Sequence, residues 1–350
     1  MVIYFRVWGM RVTERLVLFN SLLLFFVNIS AQVYPDKNID KHLSLAIDYT
    51  ISQNFKSAEL ILKKIDRENN NLPVGKIFLA AMKIAKALDY AEDFDKKAIY
   101  SELDVAEKIS DSLIEADPNN AWYKYFAGLT NAYKAYFHAE EGNYLTALIK
   151  GFSAISYFKD CLELDSTFYE AKVALGIYTY WKSHKIKDLD FLPFVNDNRK
   201  DAIDIIENTL RKTNYNKSLA IHSLFWIYAN EKEFKKAASL AELALQVYPN
   251  SRTFLSDYAH ALKQFDKHKS IIYYKKLLSV YQSLKPNNRI NEITTKHKLA
   301  IVYSEMSNKV EAKRICNEIL HDKKIPPSSK YKLQDRMTRV LQLKNDLDKK

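Results

Sequence analysis

Two pairs of carboxylates, Glu140 with Glu141 and Asp188 with Asp190, have the residue types and spacing for acid–base work. Neighbouring carboxylates settle into different protonation states, so one can give a proton while the other takes one. His184 stands just ahead of the second pair, and a histidine beside carboxylates is a minimal start to a metal site. Both arrangements have a plainer reading as solvated acids at helix ends and turns, and that reading is adopted. The eight histidines include no His-Glu-x-x-His pattern. The six glycines come no closer together than Gly142 and Gly151, so no loop can wrap backbone N–H groups around a phosphate. A nucleophile-elbow glycine pattern is missing as well. Cys161 and Cys316 are two thiols far apart in the chain, too few for a cysteine-rich zinc site and poorly placed for a disulfide. Each reads as a small buried hydrophobe. The expectation is a protein that is not an enzyme and needs no cofactor or metal.

Such chemistry-poor residues must be held by something, and composition says by what. The chain has 350 residues, 47% hydrophobic and 27% charged, enough for a large core. Only 6 Gly and 8 Pro leave little material for tight turns, which points to long helices with few breaks. Aromatic residues reach 13%, with 23 Tyr, suited to filling gaps between stacked helices. The net charge is +11, but lysines and arginines are interspersed with acids, so the reading is a solvated surface and no nucleic-acid partner.

Near the start, Arg6, Arg11 and Arg15 precede the apolar run LVLFNSLLLFFV at Leu16–Val27, and Ser30-Ala31 follow. Basic stretch, short apolar core and small residue are the pattern of a secretory signal peptide, with a cut expected after Ala31. The run is short of the ~20 residues that cross a bilayer. Met10 would serve as an alternative start. Removing residues 1–31 takes away three Arg and one Glu and leaves +9 of the +11. The chain is expected to be exported, to the periplasm, envelope or medium, with membrane association only if the signal segment stays uncleaved.

Beyond it, the sequence repeats. Ala58, Ala106, Ala154 and Ala202 are spaced by 48 residues each, inside KSAELILKKI, DVAEKISDSL, FSAISYFKDC and KDAIDIIENT. The element recurs at Ala237, Ile271 and Ala312, at spacings of 35, 34 and 41. A small residue followed by apolar residues at helical spacing marks a helix packed closely on another. The clearest unit runs from Ser218 to Ser251: SLAIHSLFWIYAN, a turn EKEFK, then KAASLAELALQVY and Pro249. Ile221, Leu224, Phe225 and Tyr228 make its packing stripe.

This unit resembles the tetratricopeptide repeat, and the resemblance covers about residues 40–322. Ala171, Leu175 and Gly176 match its first-helix pattern, and Trp122 and Gly128 stand in a similar relation. The first four units depart from it, with about 48 residues rather than 34. The extra length shows most plainly in an insert at Lys182–Arg199 that carries LDFLPF. The implied fold is an all-α solenoid of about seven helix-turn-helix units over 32–327, followed by a capping helix and tail at 328–350.

The resemblance implies binding along the concave surface made by first helices. The face opposite the packing stripe offers Tyr180, Trp181, His222, Trp226, His260, Lys263 and His297, a row of aromatics with cations beside them. The expected function is a non-enzymatic scaffold of the envelope or extracytoplasmic space that takes a protein or peptide partner in this groove. The alternatives are a glycan-binding module and a helical-toroid enzyme acting on envelope polysaccharide. The basic-and-asparagine clamp by which some relatives hold chaperone carboxylates does not stand out.

Overall fold

The computed structural model describes residues 32–186, 197–285, 287 and 289–349. Fifteen helices and no strands occur among them. They form seven antiparallel pairs: α1 (Lys37–Ile51) with α2 (Phe55–Glu68), α3 (Val74–Tyr90) with α4 (Lys96–Ala116), α5 (Ala121–Glu140) with α6 (Tyr144–Leu164), and α7 (Tyr169–Ile186) with α8 (Arg199–Thr209). Then come α9 (Lys217–Asn230) with α10 (Phe234–Val247), α11 (Arg252–Leu262) with α12 (Lys267–Ser283), and α13 (Ile290–Glu305) with α14 (Lys309–Leu320). A last helix, α15 (Pro327–Lys349), packs on α13 and α14. Its first residue is proline, whose missing N–H costs nothing there.

The repeating alanines do what their size predicts. Ala58, Ala106, Ala154, Ala202, Ala237 and Ala312 are all buried where second helices cross their neighbours. Gly128 and Gly176 are their counterparts on first helices. A Cβ at Gly128 would stand 2.6 Å from the Phe158 ring, and one at Gly176 would stand 2.7 Å from Ile206 Cγ1. No side chain fits at either crossing.

The scarcity of glycine does not prevent tight turns, as composition alone implies it should. Gln53, Lys232 and Ser307 adopt left-handed backbone at φ 56°, 62° and 60°, and Gly142 does so at φ 79°. Each stands two residues before a second helix. Each is followed by an N–H that reaches back to a carbonyl of the preceding helix: Asn54 to Tyr49, Asn143 to His138, Glu233 to Tyr228, Asn308 to Tyr303, all at 2.8–2.9 Å. This is the Schellman closure, made mostly without its usual glycine. Asn54 and Asn308 then cap the next helix through their side chains.

The longer units owe their length to different causes. Ala58, Ala202, Ala237 and Ala312 are each the fourth residue of their helix, whereas Ala106 and Ala154 are the eleventh. Thus α4 and α6 begin about two turns early, and their partners are long as well. In the fourth unit α7 runs helically to Ile186, so the insert expected from Lys182 begins later than the sequence suggests. Asp188, Asp190 and the LDFLPF segment lie outside the described residues.

One relationship has no counterpart in the repeat pattern. The first helices of the array touch helix ends from its second half. Tyr215, ahead of α9, donates its hydroxyl to Asp40 at 2.5 Å and accepts the Tyr34 N–H at 2.7 Å. The Tyr248 hydroxyl reaches Asp48 at 2.5 Å. Gln53 bridges Ser251 and the Arg252 N–H. Arg252 holds Asp89, and Asn291 donates to the Asp89 carbonyl at 2.8 Å. Finally Lys332 and Tyr331 of α15 bind Asp93 at 2.7 and 3.0 Å.

The turn ahead of α9 is itself fixed by a buried acid. Glu170 accepts the N–H groups of Asn214, Tyr215 and Asn216 at 2.6, 3.1 and 2.8 Å, and the Thr213 hydroxyl at 2.7 Å. Burial pushes its carboxyl above the usual carboxylate range, against these four donors, which favour the anion.

Candidate functional site

Because units one and two face units five and six, a half-open cavity of about 320 Å³ lies mainly between their first helices. Ile47 and Ile51 of α1, Phe78 and Met82 of α3, and Leu219 of α9 and Phe254 of α11 give it apolar walls. This is at the lower end of the size of small-ligand pockets and suits one large apolar side chain.

His222 of α9 stands on the cavity rim. Its Nδ1 lies 2.7 Å from Asp257 Oδ2 of α11, which fixes the ring orientation. One helical turn on, Trp226 is 40% exposed, and its ring lies 5.3 Å from that of His260. Burial holds the His260 pKa below the ordinary value, helped by the charges of Lys298 and Lys263.

Beyond His260 the face turns cationic. Lys298 of α13 has a lowered pKa, first from burial and then from Arg336 of α15. Arg336 is lowered in turn by burial and by Arg339. Lys298 donates to Ser256 Oγ at 3.2 Å, and Arg336 approaches His297 Nδ1 at 3.4 Å. Among the described residues, no carboxylate lies within ion-pair distance of Lys298, Arg336 or Arg339. The nearest carboxylate, Asp257, is engaged by His222 and only partly offsets the cluster's charge, so an incoming carboxylate or other anion relieves it further.

The residues singled out from sequence are dispersed by this geometry. His222, Trp226 and His260 come together. Trp181 is partly buried on the neighbouring core, its ring 5.6 Å from that of His184. Lys263 is committed to Glu305 at 2.8 Å. Tyr180 is fully buried, with its hydroxyl donated to Glu231 at 2.6 Å and accepting from Asn230 at 2.7 Å. His297 is also buried, between α13 and α15, with its pKa lowered to about 4 by burial and by Arg336 and Arg339. Neither Tyr180 nor His297 presents a ring to the groove. The end of the neighbouring first helix α9 covers Tyr180, and the terminal helix α15 covers His297. The sequence missed Asp257, Lys298, Arg336 and Arg339. Arg336 and Arg339 share a face by their spacing of three, but on a helix that reads as a polar cap.

The carboxylates with the spacing for catalysis are otherwise engaged. Glu141 accepts Lys96 at 2.8 Å and the Tyr100 hydroxyl, which hold its pKa low. Glu140 is exposed.

No protein-family model matches the chain, and no curated protein matches it. Solved structures do. The chain is similar to YrrB, described as a TPR protein with an unusual peptide-binding site, at 15% identity over 61% of this chain and 92% of that one, with a TM-score of 0.42. It is similar to the C-terminal part of a TPR repeat-containing protein from Cytophaga hutchinsonii, at 19% identity over 82% and 97% of the two chains, TM-score 0.41. It is also similar to PilW, a type IV pilus biogenesis factor, at 14% identity over 73% and 98%, TM-score 0.44. Independently of these, the seven antiparallel pairs, the small residues at their crossings and the terminal helix make the fold a tetratricopeptide-like helical repeat array.

Proposed function

We propose that this protein is an interaction scaffold that binds an extended segment of another protein along its inner face. The segment places one large apolar side chain in the cavity between α1, α3, α9 and α11. It lays a second group against Trp226 and His260. It brings a carboxylate to Lys298, Arg336 and Arg339. The observation that carries this reading is the adjacency of an apolar cavity, a half-open tryptophan and three cations without a carboxylate partner.

The test is a peptide array probed with the purified full chain. Bound peptides are expected to combine an acidic residue with a large apolar one. Trp226→Ala and Arg336→Glu should each weaken binding about tenfold or more, the scale of a lost anchor. Affinity should fall as salt rises. Equal affinity in folded variants would remove the inner face as the site.

We also propose that the chain works outside the cytoplasm. The basic residues and apolar run before Ala31 support this. A cut there leaves the local fold intact, since the Gln32 backbone nitrogen donates to the Lys212 carbonyl at 2.8 Å. A newly freed terminal ammonium makes that bond equally well. N-terminal sequencing of the protein from fractionated cells tests it; a cytoplasmic protein retaining residues 1–31 would refute it.

A further inference from the structure

The two-turn extension of the α5–α6 hairpin carries a feature that the inner face does not use. Tyr144, Leu145, Leu148, Ile149 and Phe152 are each 56–73% exposed. Their spacing puts them on one side of α6. From Tyr144 to Ser153 no residue of α6 is buried; its core contacts begin at Ala154. Five large side chains, each more than half open, amount to roughly 600 Å² of apolar surface, at or above the largest patch of an ordinary monomer.

We infer that this face is where a second copy of the chain docks, α6 against α6 and antiparallel. Three observations fit that occupant. Two such faces together bury on the order of 1,200 Å², the lower bound of a stable interface. Leu145, Leu148, Ile149 and Phe152 follow the 3, 1, 3 spacing of a helix–helix seam, and a two-fold contact needs one self-complementary face. Charge agrees as well. The only charge between Tyr144 and Phe158 is Lys150, which is spent on Glu107 at 2.5 Å. Glu140 is exposed at one end of the stripe and Lys159 at the other. An antiparallel pair about Ile149 brings the Glu140 end of each copy to the Lys159 end of its partner.

The experiment is sedimentation velocity on the full chain at 1–100 μM (about two decades, spanning the weak-dimer range), with disulfide trapping. Expected is a concentration-dependent dimer. Leu148→Glu combined with Phe152→Glu should abolish it without changing helicity or melting, because both residues are exposed. Ile149→Cys should trap a covalent dimer under mild oxidation. Lys159→Cys should not, since its two copies would lie roughly 30 Å apart. The native thiols do not interfere, for Cys161 and Cys316 are buried.

Four results would overturn the inference. A monomer at every concentration, with Ile149→Cys untrapped and freely reactive, leaves the face to a different protein. A monomer in which Ile149→Cys resists a soluble thiol reagent means that another part of this chain covers it. Pull-down by phosphatidylcholine–phosphatidylglycerol vesicles through the same residues assigns it to a lipid surface. A dimer that survives the double substitution lies elsewhere on the chain.

Discussion

Arg252, at the start of α11, grips Asp89, at the end of α3, across 163 residues of chain: its Nε lies 2.9 and 3.1 Å from the two carboxylate oxygens. The pair is almost dry, and the guanidinium also lies over the Tyr90 ring at 5.5 Å. Removing one partner leaves a buried charge alone. Arg252→Ala should therefore cost about 3–5 kcal/mol in urea unfolding. Arg252→Met with Asp89→Leu should recover much of that loss. A cost below about 1 kcal/mol for the single change would mean that the two halves are not joined in solution.

Glycines in this fold divide by what surrounds them. Gly128 has the Phe158 ring where a Cβ would go, whereas Gly151, in mid-α6, meets only Ala135 Cβ at 3.9 Å. Gly128→Ala should destabilise by about 1–3 kcal/mol through overpacking. Gly151→Ala should stabilise by about 0.5–1 kcal/mol through helix propensity. Thermal unfolding of the two variants reads the signs; equal signs would mean that the α5–α6 crossing is not as described.

Buried His297 predicts an acid-side loss of stability. Its pKa is about 4 in the folded chain against an ordinary 6.5, so folding disfavours its proton. The contribution is complete above pH 6.5 and is lost as pH falls toward 4, by up to about 3 kcal/mol. Denaturant melts across that window should show a steeper decline for the native chain than for His297→Gln. Identical slopes would mean that the ring is solvated, away from Arg336 and Arg339.

How much of this was legible beforehand follows from what repeats encode. Ala58, Ala106, Ala154, Ala202, Ala237 and Ala312 announce close crossings, because only a small side chain fits there. From them and the weaker copy at Ile271 come the seven helix pairs, and the polar amphipathic stretch after Pro326-Pro327 announces the final cap. Turn geometry was less legible. Left-handed Gln53, Lys232 and Ser307 carry no glycine signal, and their turns are held by backbone hydrogen bonds that any residue can make. The inner face was only half readable. His222 and Trp226 share a surface because they lie one turn apart on α9, and His260 joins them because it holds the position of α11 that matches Trp226. Lys298, Arg336 and Arg339 join them only because α15 packs back on α13, a contact between elements that local periodicity does not specify. Tyr180 and His297 were misplaced on the open face for the same reason: helical spacing gives a direction, and a neighbouring helix decides whether that direction is open.

The stitching of early helices to late ones also sets a clock. Asp89 leaves the ribosome long before Arg252, and Asp93 leaves 238 residues before Tyr331. At ordinary synthesis rates the first gap alone is roughly 10–30 s. During that interval the apolar walls at Ile47, Ile51, Phe78 and Met82 have no cover. A chain whose beginning is completed by its end needs something to keep those first helices from sticking elsewhere while the rest is made.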